Sequence, residues 1–237
     1  LAFPRLQFTK NDTVKPDGSL SLPYLAGSLR RAGYDVKILD CAVGEDGDDL
    51  QSTFYQPTPL PSGLVRVGLS DERIVAACRD YDVVGMTSIF TMQHSQVVAM
   101  VELIKAAYPR KLVVVGGVNA RHMAWAFRLA GADAIALGES DFDILGLAAR
   151  AARPERFNEC NEFIPGFHAT GSVPSMPPTD LDTLAMPAWD LLPLDRYWAI
   201  SRPHGGDFVP GQRIQYGSMM TSRGCPFSCT YCHISKE

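Results

Sequence analysis

A chain of 237 residues, 46% hydrophobic and 20% charged, has the balance of an ordinary globular protein with a sizeable core. Its formal net charge of −4 offers no basic stripe, so nucleic acid is not an expected partner. No apolar run reaches the ~18–20 residues that cross a bilayer, and Leu1-Ala2-Phe3-Pro4-Arg5 lacks the charged-then-apolar order of a signal peptide. The chain therefore reads as cytoplasmic with no membrane partner, and as missing a few residues ahead of Leu1, where no initiator Met stands.

In chain order, a first strand is predicted at Leu1–Phe3, already under way at the first residue. Leu22, Leu25, Ala26 and Leu29 share one helical face, and Gly33 stands where a C-terminal cap belongs. Strands follow at Asp35–Leu39, Asp82–Met86, Lys111–Val115 and Ala134–Leu137, several without alternation, as expected for strands buried on both faces. Between them, Ser70 precedes Asp71 and Glu72 in a first helical turn with Ile74, Val75 and Cys78 inward. Val97, Met100, Val101 and Ile104 form a further stripe, Arg121 to Ala130 another closed by Gly131, and Phe142 to Arg150 the last. Five strands alternating with five helices predict an α/β, doubly wound parallel sheet over residues 1–153. Ala42–Leu69, with Pro57, Pro59 and Pro61, reads as a long connection. Residues 154–212 read as a Pro-rich interdomain linker, and a strand signal returns at Arg213–Met220 to open a second unit, 213–237.

That strand runs into Thr221-Ser222-Arg223-Gly224-Cys225-Pro226-Phe227-Ser228-Cys229-Thr230-Tyr231-Cys232, with the spacing C-x₃-C-x₂-C. Six cysteines scattered at random give that spacing about four times in a thousand. Without an export signal, such crowding argues for metal and against crosslinks, while Cys41, Cys78 and Cys160 are unpatterned. Three thiolates on one loop can each hold an iron of a 4Fe–4S cubane and leave the fourth iron open. A structural zinc site is the alternative. It wants a fourth ligand, which His233 would have to supply from the position adjacent to Cys232.

In the first unit, ligands of a doubly wound sheet sit beyond the carboxyl ends of the strands. The loops there are Pro4–Ser21, Thr87–Gln93, Gly116–Ala120 and Gly138–Asp141. Gly116-Gly117 would allow close backbone approach, and no G-x-G-x-x-G or P-loop motif is present.

The cysteine spacing, with aromatic Tyr231 before Cys232, resembles the signature of the radical S-adenosylmethionine superfamily. That resemblance implies a loop after the first strand of a (β/α) partial barrel whose remainder lies beyond Glu237. It implies Cys225, Cys229 and Cys232 as cluster ligands, and S-adenosylmethionine on the open iron with Tyr231 beside its adenine, plain packing being the alternative for Tyr231. With the preceding unit, the chain resembles the cobalamin-dependent members of that superfamily. Val84-Gly85-Met86-Thr87-Ser88-Ile89 is similar to the cobalamin-binding Ser-x-Leu segment, Val114-Val115-Gly116-Gly117 with Val118 to its Gly-Gly segment, and Leu137-Gly138-Glu139 to its Gly-Glu turn. Pro187-Ala188-Trp189-Asp190 and Thr221-Ser222-Arg223-Gly224-Cys225 also match. The resemblance implies cobalamin in a flavodoxin-like or Rossmann-like domain, held by Thr87, Ser88, Ile89, Gly116, Gly117, Val118, Gly138 and Glu139. In methionine synthase-like domains D-x-H-x-x-G supplies an axial histidine; here Gly18 stands at that position, and no histidine precedes His94. His94 and His122 are further candidates for axial ligation, or ordinary surface or capping residues.

The reaction so implied is methylation of an unactivated carbon, or phosphorus, of a small molecule or peptide through a 5′-deoxyadenosyl radical and methylcobalamin, with a reductant such as flavodoxin or ferredoxin. A cobalamin-dependent cyclisation or ring rearrangement without methyl transfer, and a zinc-bearing interaction module, are the alternatives.

Overall fold

Valine decides where the sheet lies. In the computed structural model, which describes residues 1–16, 18–151, 180–203, 214–225, 227 and 229–232, Val113, Val114 and Val115 are all buried. A strand that buries successive side chains must lie between two layers. The strands are β1 (Ala2–Phe3), β2 (Leu6–Phe8), β3 (Leu39–Asp40), β4 (Thr58–Pro59), β5 (Val65–Val67), β6 (Val83–Thr87), β7 (Leu112–Gly116) and β8 (Ala134–Ile135). The helices are α1 (Ser21–Arg31), α2 (Asp71–Cys78), α3 (His94–Ala107), α4 (Val118–His122), α5 (Ala124–Leu129), α6 (Asp143–Ala151) and α7 (Leu194–Ile200).

Five strands form one sheet in the order β3-β1-β6-β7-β8, every pairing parallel. Each predicted strand of the first unit is present, so the α/β parallel architecture holds. The edge strand expected at Asp35–Leu39 narrows to Leu39–Asp40, because its only neighbour in the sheet, β1, offers two residues. Contacts between α1 and α6 on one side, and α2, α3 and α5 on the other, give the two covering layers. The stripe Val97, Met100, Val101 and Ile104 is fully buried against the second face. Gly33 closes α1 as predicted: its N–H reaches Arg30 O at 2.9 Å and that of Tyr34 reaches Leu29 O at 3.1 Å. The helix expected over Arg121–Ala130 instead starts at Val118 and is broken at Met123 (φ −112°, ψ 28°) into α4 and α5.

The connection Ala42–Leu69 is built, not bare. β5 alternates buried Val65 and Val67 around Arg66, and pairs antiparallel with β2 on one side and β4 on the other. Gln7 of β2 then clasps the loop after β6. Its backbone N–H donates to Gln93 Oε1 at 2.8 Å and its C=O accepts from Gln93 Nε2 at 3.1 Å. Its side chain donates to Met92 O at 2.5 Å and accepts from Ser95 Oγ and Gln96 Nε2.

Part of the expected linker is docked. Ala188 N–H reaches Pro23 O at 2.9 Å, Arg30 pairs twice with Asp190 at 2.9 and 2.7 Å, and Tyr197 and Ile200 of α7 are buried. Residues 152–179 and 204–213, with Cys160 and Arg213, lie outside the described residues. The strand predicted at Arg213–Met220 is not formed over 214–220: a strand needs a neighbour, and none pairs with this segment among the described residues. No helix of the described residues is long and apolar enough to cross a membrane.

Candidate functional site

Large apolar side chains stand exposed on the loops at the carboxyl edge of the sheet. Leu20 stands at the start of α1 in the connection from β2, Ile89, Phe90 and Met92 follow β6, Val118 opens α4 after β7 and Phe142 follows β8. Phe90 is 64% exposed. Four separate loops presenting apolar groups at one edge form the rim of a binding face, at the end where doubly wound sheets take their ligands.

Beneath the rim, backbone is brought in close. Gly117 has φ +99°, and a Cβ there would lie 2.6 Å from the Ser88 carbonyl oxygen. That oxygen accepts from Asn119 N at 3.1 Å and Ala120 N at 3.3 Å, while Ser88 N donates to Gly116 O at 2.7 Å. Asn119 Nδ2 bridges Ser88 Oγ at 2.8 Å and His94 Nδ1 at 3.1 Å, and the His94 ring leans on Phe127 with centroids 4.8 Å apart. Thr87 is buried at the end of β6 in register with Gly116. Ser88 and His94 thus serve the scaffold with their polar atoms, and Ile89 and Val118 face outward at the rim. Asn119 was missed in the sequence; a lone Asn after Gly-Gly carries no pattern of its own.

Gly18 is crowded. A Cβ at this position would stand 2.6 Å from Tyr197 Oη, and Tyr197 is held by a hydrogen bond to Asp40 Oδ2. A histidine at position 18 would have to displace Tyr197. Asp40 also accepts from Ala42 N at 2.8 Å and Val43 N at 3.1 Å. Burial pushes its carboxyl up to about 6, against Tyr197, the Val43 and Ala42 N–H groups and the Arg196 charge, all of which lower it. Beside this pair opens a cavity of about 490 Å³ whose lining includes Ser19, Trp189, Trp198, Gln215, Tyr216 and Met219.

The segment leading to the cysteines crosses this region pinned at several points. Tyr216 OH donates to Pro16 O at 3.2 Å, Trp198 Nε1 donates to Tyr216 O at 2.7 Å, and Tyr24 OH donates to Met220 O at 3.0 Å. Arg223 pairs with Glu139 and Asp141 in the loop after β8, so the Glu139 carboxylate is engaged by the protein itself. Cys225, Cys229, Cys232 and Tyr231 are exposed, and one turn joins Cys232 N to Cys229 O at 3.1 Å. Among the described residues no three His, Cys, Asp or Glu side chains are gathered closely enough to hold a metal. The donor set itself, three soft thiols, suits iron–sulfur or zinc. His233 lies outside the described residues.

A doubly wound domain with an apolar, glycine-floored carboxyl edge defines a binder of a bulky ligand. The family profile of the B12 binding domain matches residues 17–145, more than half of the chain, and the chain belongs to that family. It is 30% identical to the cytidylyl-2-hydroxyethylphosphonate methyltransferase of Streptomyces wedmorensis, over 97% of this chain and 46% of that protein. It is 28% identical to an uncharacterized methyltransferase of Pyrococcus horikoshii, over 92% and 41%. To the hopanoid C-3 methylase of Methylococcus capsulatus it is 27% identical, over 90% and 35%. The chain spans less than half the length of each of these relatives. The site fits cobalamin: the rim offers apolar cover for a large ring, and Gly117 lets the turn after β7 pack directly on the Ser88 carbonyl to form its floor.

Proposed function

We propose that this chain is part of a cobalamin-dependent radical S-adenosylmethionine methyltransferase acting on an unactivated carbon, or phosphorus, of a small molecule or peptide. One observation carries the reading: a C-x₃-C-x₂-C loop is tied by Arg223 to the carboxyl edge of a B12-binding sheet. The relatives' names, two methyltransferases and a methylase, support methyl transfer, and the hopanoid C-3 methylase is named for a carbon.

When bound, the cluster, S-adenosylmethionine and cobalamin supply one-electron cleavage of a sulfonium and a transferable methyl group. The chain's own residues hold and shield. Gly116 and Gly117 let the backbone approach the cofactor, Thr87 offers a hydroxyl at the same edge, and Leu20, Ile89, Phe90 and Val118 exclude water from the ring's flank. Cys225, Cys229 and Cys232 would hold three irons of the cluster, metal binding and local folding being coupled. Tyr231, the exposed neighbour of Cys232, would lie beside the adenine. The loop between β1 and α1 carries no histidine that could reach a cobalt, and Tyr197 fills the space over Gly18. An electron donor of the flavodoxin or ferredoxin type reduces the cluster.

The test is anaerobic reconstitution of the full-length protein. Broad absorption at about 400 nm, lost in Cys225→Ala with cobalamin retained, and a product that gains the mass of a labelled methyl are expected. A colourless zinc protein overturns the radical reading, and a product without mass gain overturns methyl transfer. Nitrogen hyperfine splitting from histidine in the cob(II) spectrum would count against a cobalt without a histidine ligand.

A further inference from the structure

Arg223 is only 10% exposed, although Ser222 and Gly224 on either side of it are exposed. Its Nη1 and Nη2 donate to Asp141 at 3.2 Å each, and Nη1 also meets Glu139. Asp141 is 4% exposed. From the other side, the guanidinium lies 5.2 Å from the ring centroid of Tyr24 in α1. The same tyrosine's hydroxyl donates to Met220 O and accepts from Met220 N at 3.2 Å. Two elements more than 80 residues away in sequence on one side, and nearly 200 on the other, thus close on one short stretch of chain.

Ion pairs are weak sources of stability when exposed, and burying a guanidinium with a carboxylate is offset by desolvation. What a bidentate, ring-stacked arginine supplies is a fixed orientation. Gly224 follows with φ +81°, so the chain turns away at once and Cys225 leaves from a fixed point.

We propose that Arg223 is a positioning residue: its clamp on Asp141 and Glu139 holds the cysteine loop at one separation from the cobalamin edge of the sheet. This rests on the function proposed above. A fixed separation lets a radical formed at one cofactor meet the methyl carried by the other, and slack in it lets radicals form without methyl transfer.

The first experiment uses the full-length protein without cofactors, so that it judges the clamp whatever the enzyme does. Trypsin cuts after Arg223 only when the guanidinium is released, and peptide mass spectrometry should show that cut at least about tenfold faster in E139Q/D141N than in wild type. Circular dichroism monitors the fold. R223K, still a trypsin site, gives the same comparison should the double variant misfold. Equal rates overturn the proposal. The second experiment uses reconstituted protein. R223Q and R223K are expected to keep wild-type iron and cobalamin content, while the spin-relaxation enhancement of the cob(II) signal by the reduced cluster falls. The ratio of 5′-deoxyadenosine to methylated product should rise about tenfold, more in R223Q than in R223K. Unchanged enhancement and ratio overturn the positioning role. A wild type that takes up no cluster defeats the proposed function instead, and the proteolysis result then decides the clamp alone.

Discussion

Tyr197 of α7 donates its hydroxyl proton to Asp40 at the carboxyl end of β3, across 157 residues of sequence, and both are almost completely buried. The contact joins the docked segment to the sheet and fills the space over Gly18. It also places an ionisable group where charge is disfavoured.

The Asp40 carboxyl titrates at about 6 in the fold, raised first by burial, against 3.8 as its ordinary value. Between these values the folded protein holds a proton that the unfolded chain has released, so stability falls as pH rises from about 4 to about 6. The effect is about 3 kcal/mol. Urea denaturation of Asp40→Asn should lose that part of the pH dependence. Tyr197→Phe removes a group that lowers the value, so its loss of stability should extend above pH 6. An Asp40→Asn profile parallel to wild type would refute this.

Gly27 lies inside α1, where Gly→Ala ordinarily stabilises by about 1 kcal/mol. Here the added Cβ would stand 2.2 Å from Met186 O of the docked segment. The sign should reverse, with Gly27→Ala destabilised by about 2 kcal/mol and faster proteolysis near Met186. A raised melting temperature would refute it.

Gly117→Ala meets the Ser88 carbonyl and a backbone φ that alanine rarely adopts. We expect about 2–4 kcal/mol lost in equilibrium unfolding and cobalamin affinity reduced at least about tenfold. Cobalamin titration at wild-type affinity would remove Gly117 from the site.

Gln7→Leu strips partners from Met92 O and the buried side chain of Gln96. Leaving such groups unpaired costs about 2–4 kcal/mol, measurable by urea denaturation, and should speed hydrogen exchange in the loop after β6. A change confined to β2 would show that the clasp does not hold that loop.

The alternation of strand and helix was legible because it is carried by local periodicity. Val97, Met100, Val101 and Ile104 repeat at helical spacing and are fully buried, and the valines of β7 form an unbroken run. Thr87, Gly116-Gly117 and the cysteines could be singled out because each lies in a contiguous motif. Asn119, Gln7, Tyr197 and Asp40 could not. Each is a lone polar residue whose partners lie tens to hundreds of positions away.

Read by itself, the chain of residues determined the five strands of the parallel sheet, most of the helices between them and which loop carries three thiols. Only the tertiary structure decided that the run between residues 42 and 69 forms a second sheet with β2, that residues 183–190 dock on α1 and α7 on Asp40 and Val43, and that Arg223 closes on Asp141. Periodic burial is written into neighbouring positions, whereas these contacts arise from the order in which strands assemble, and a single side chain cannot encode the surface that assembly will bring to it.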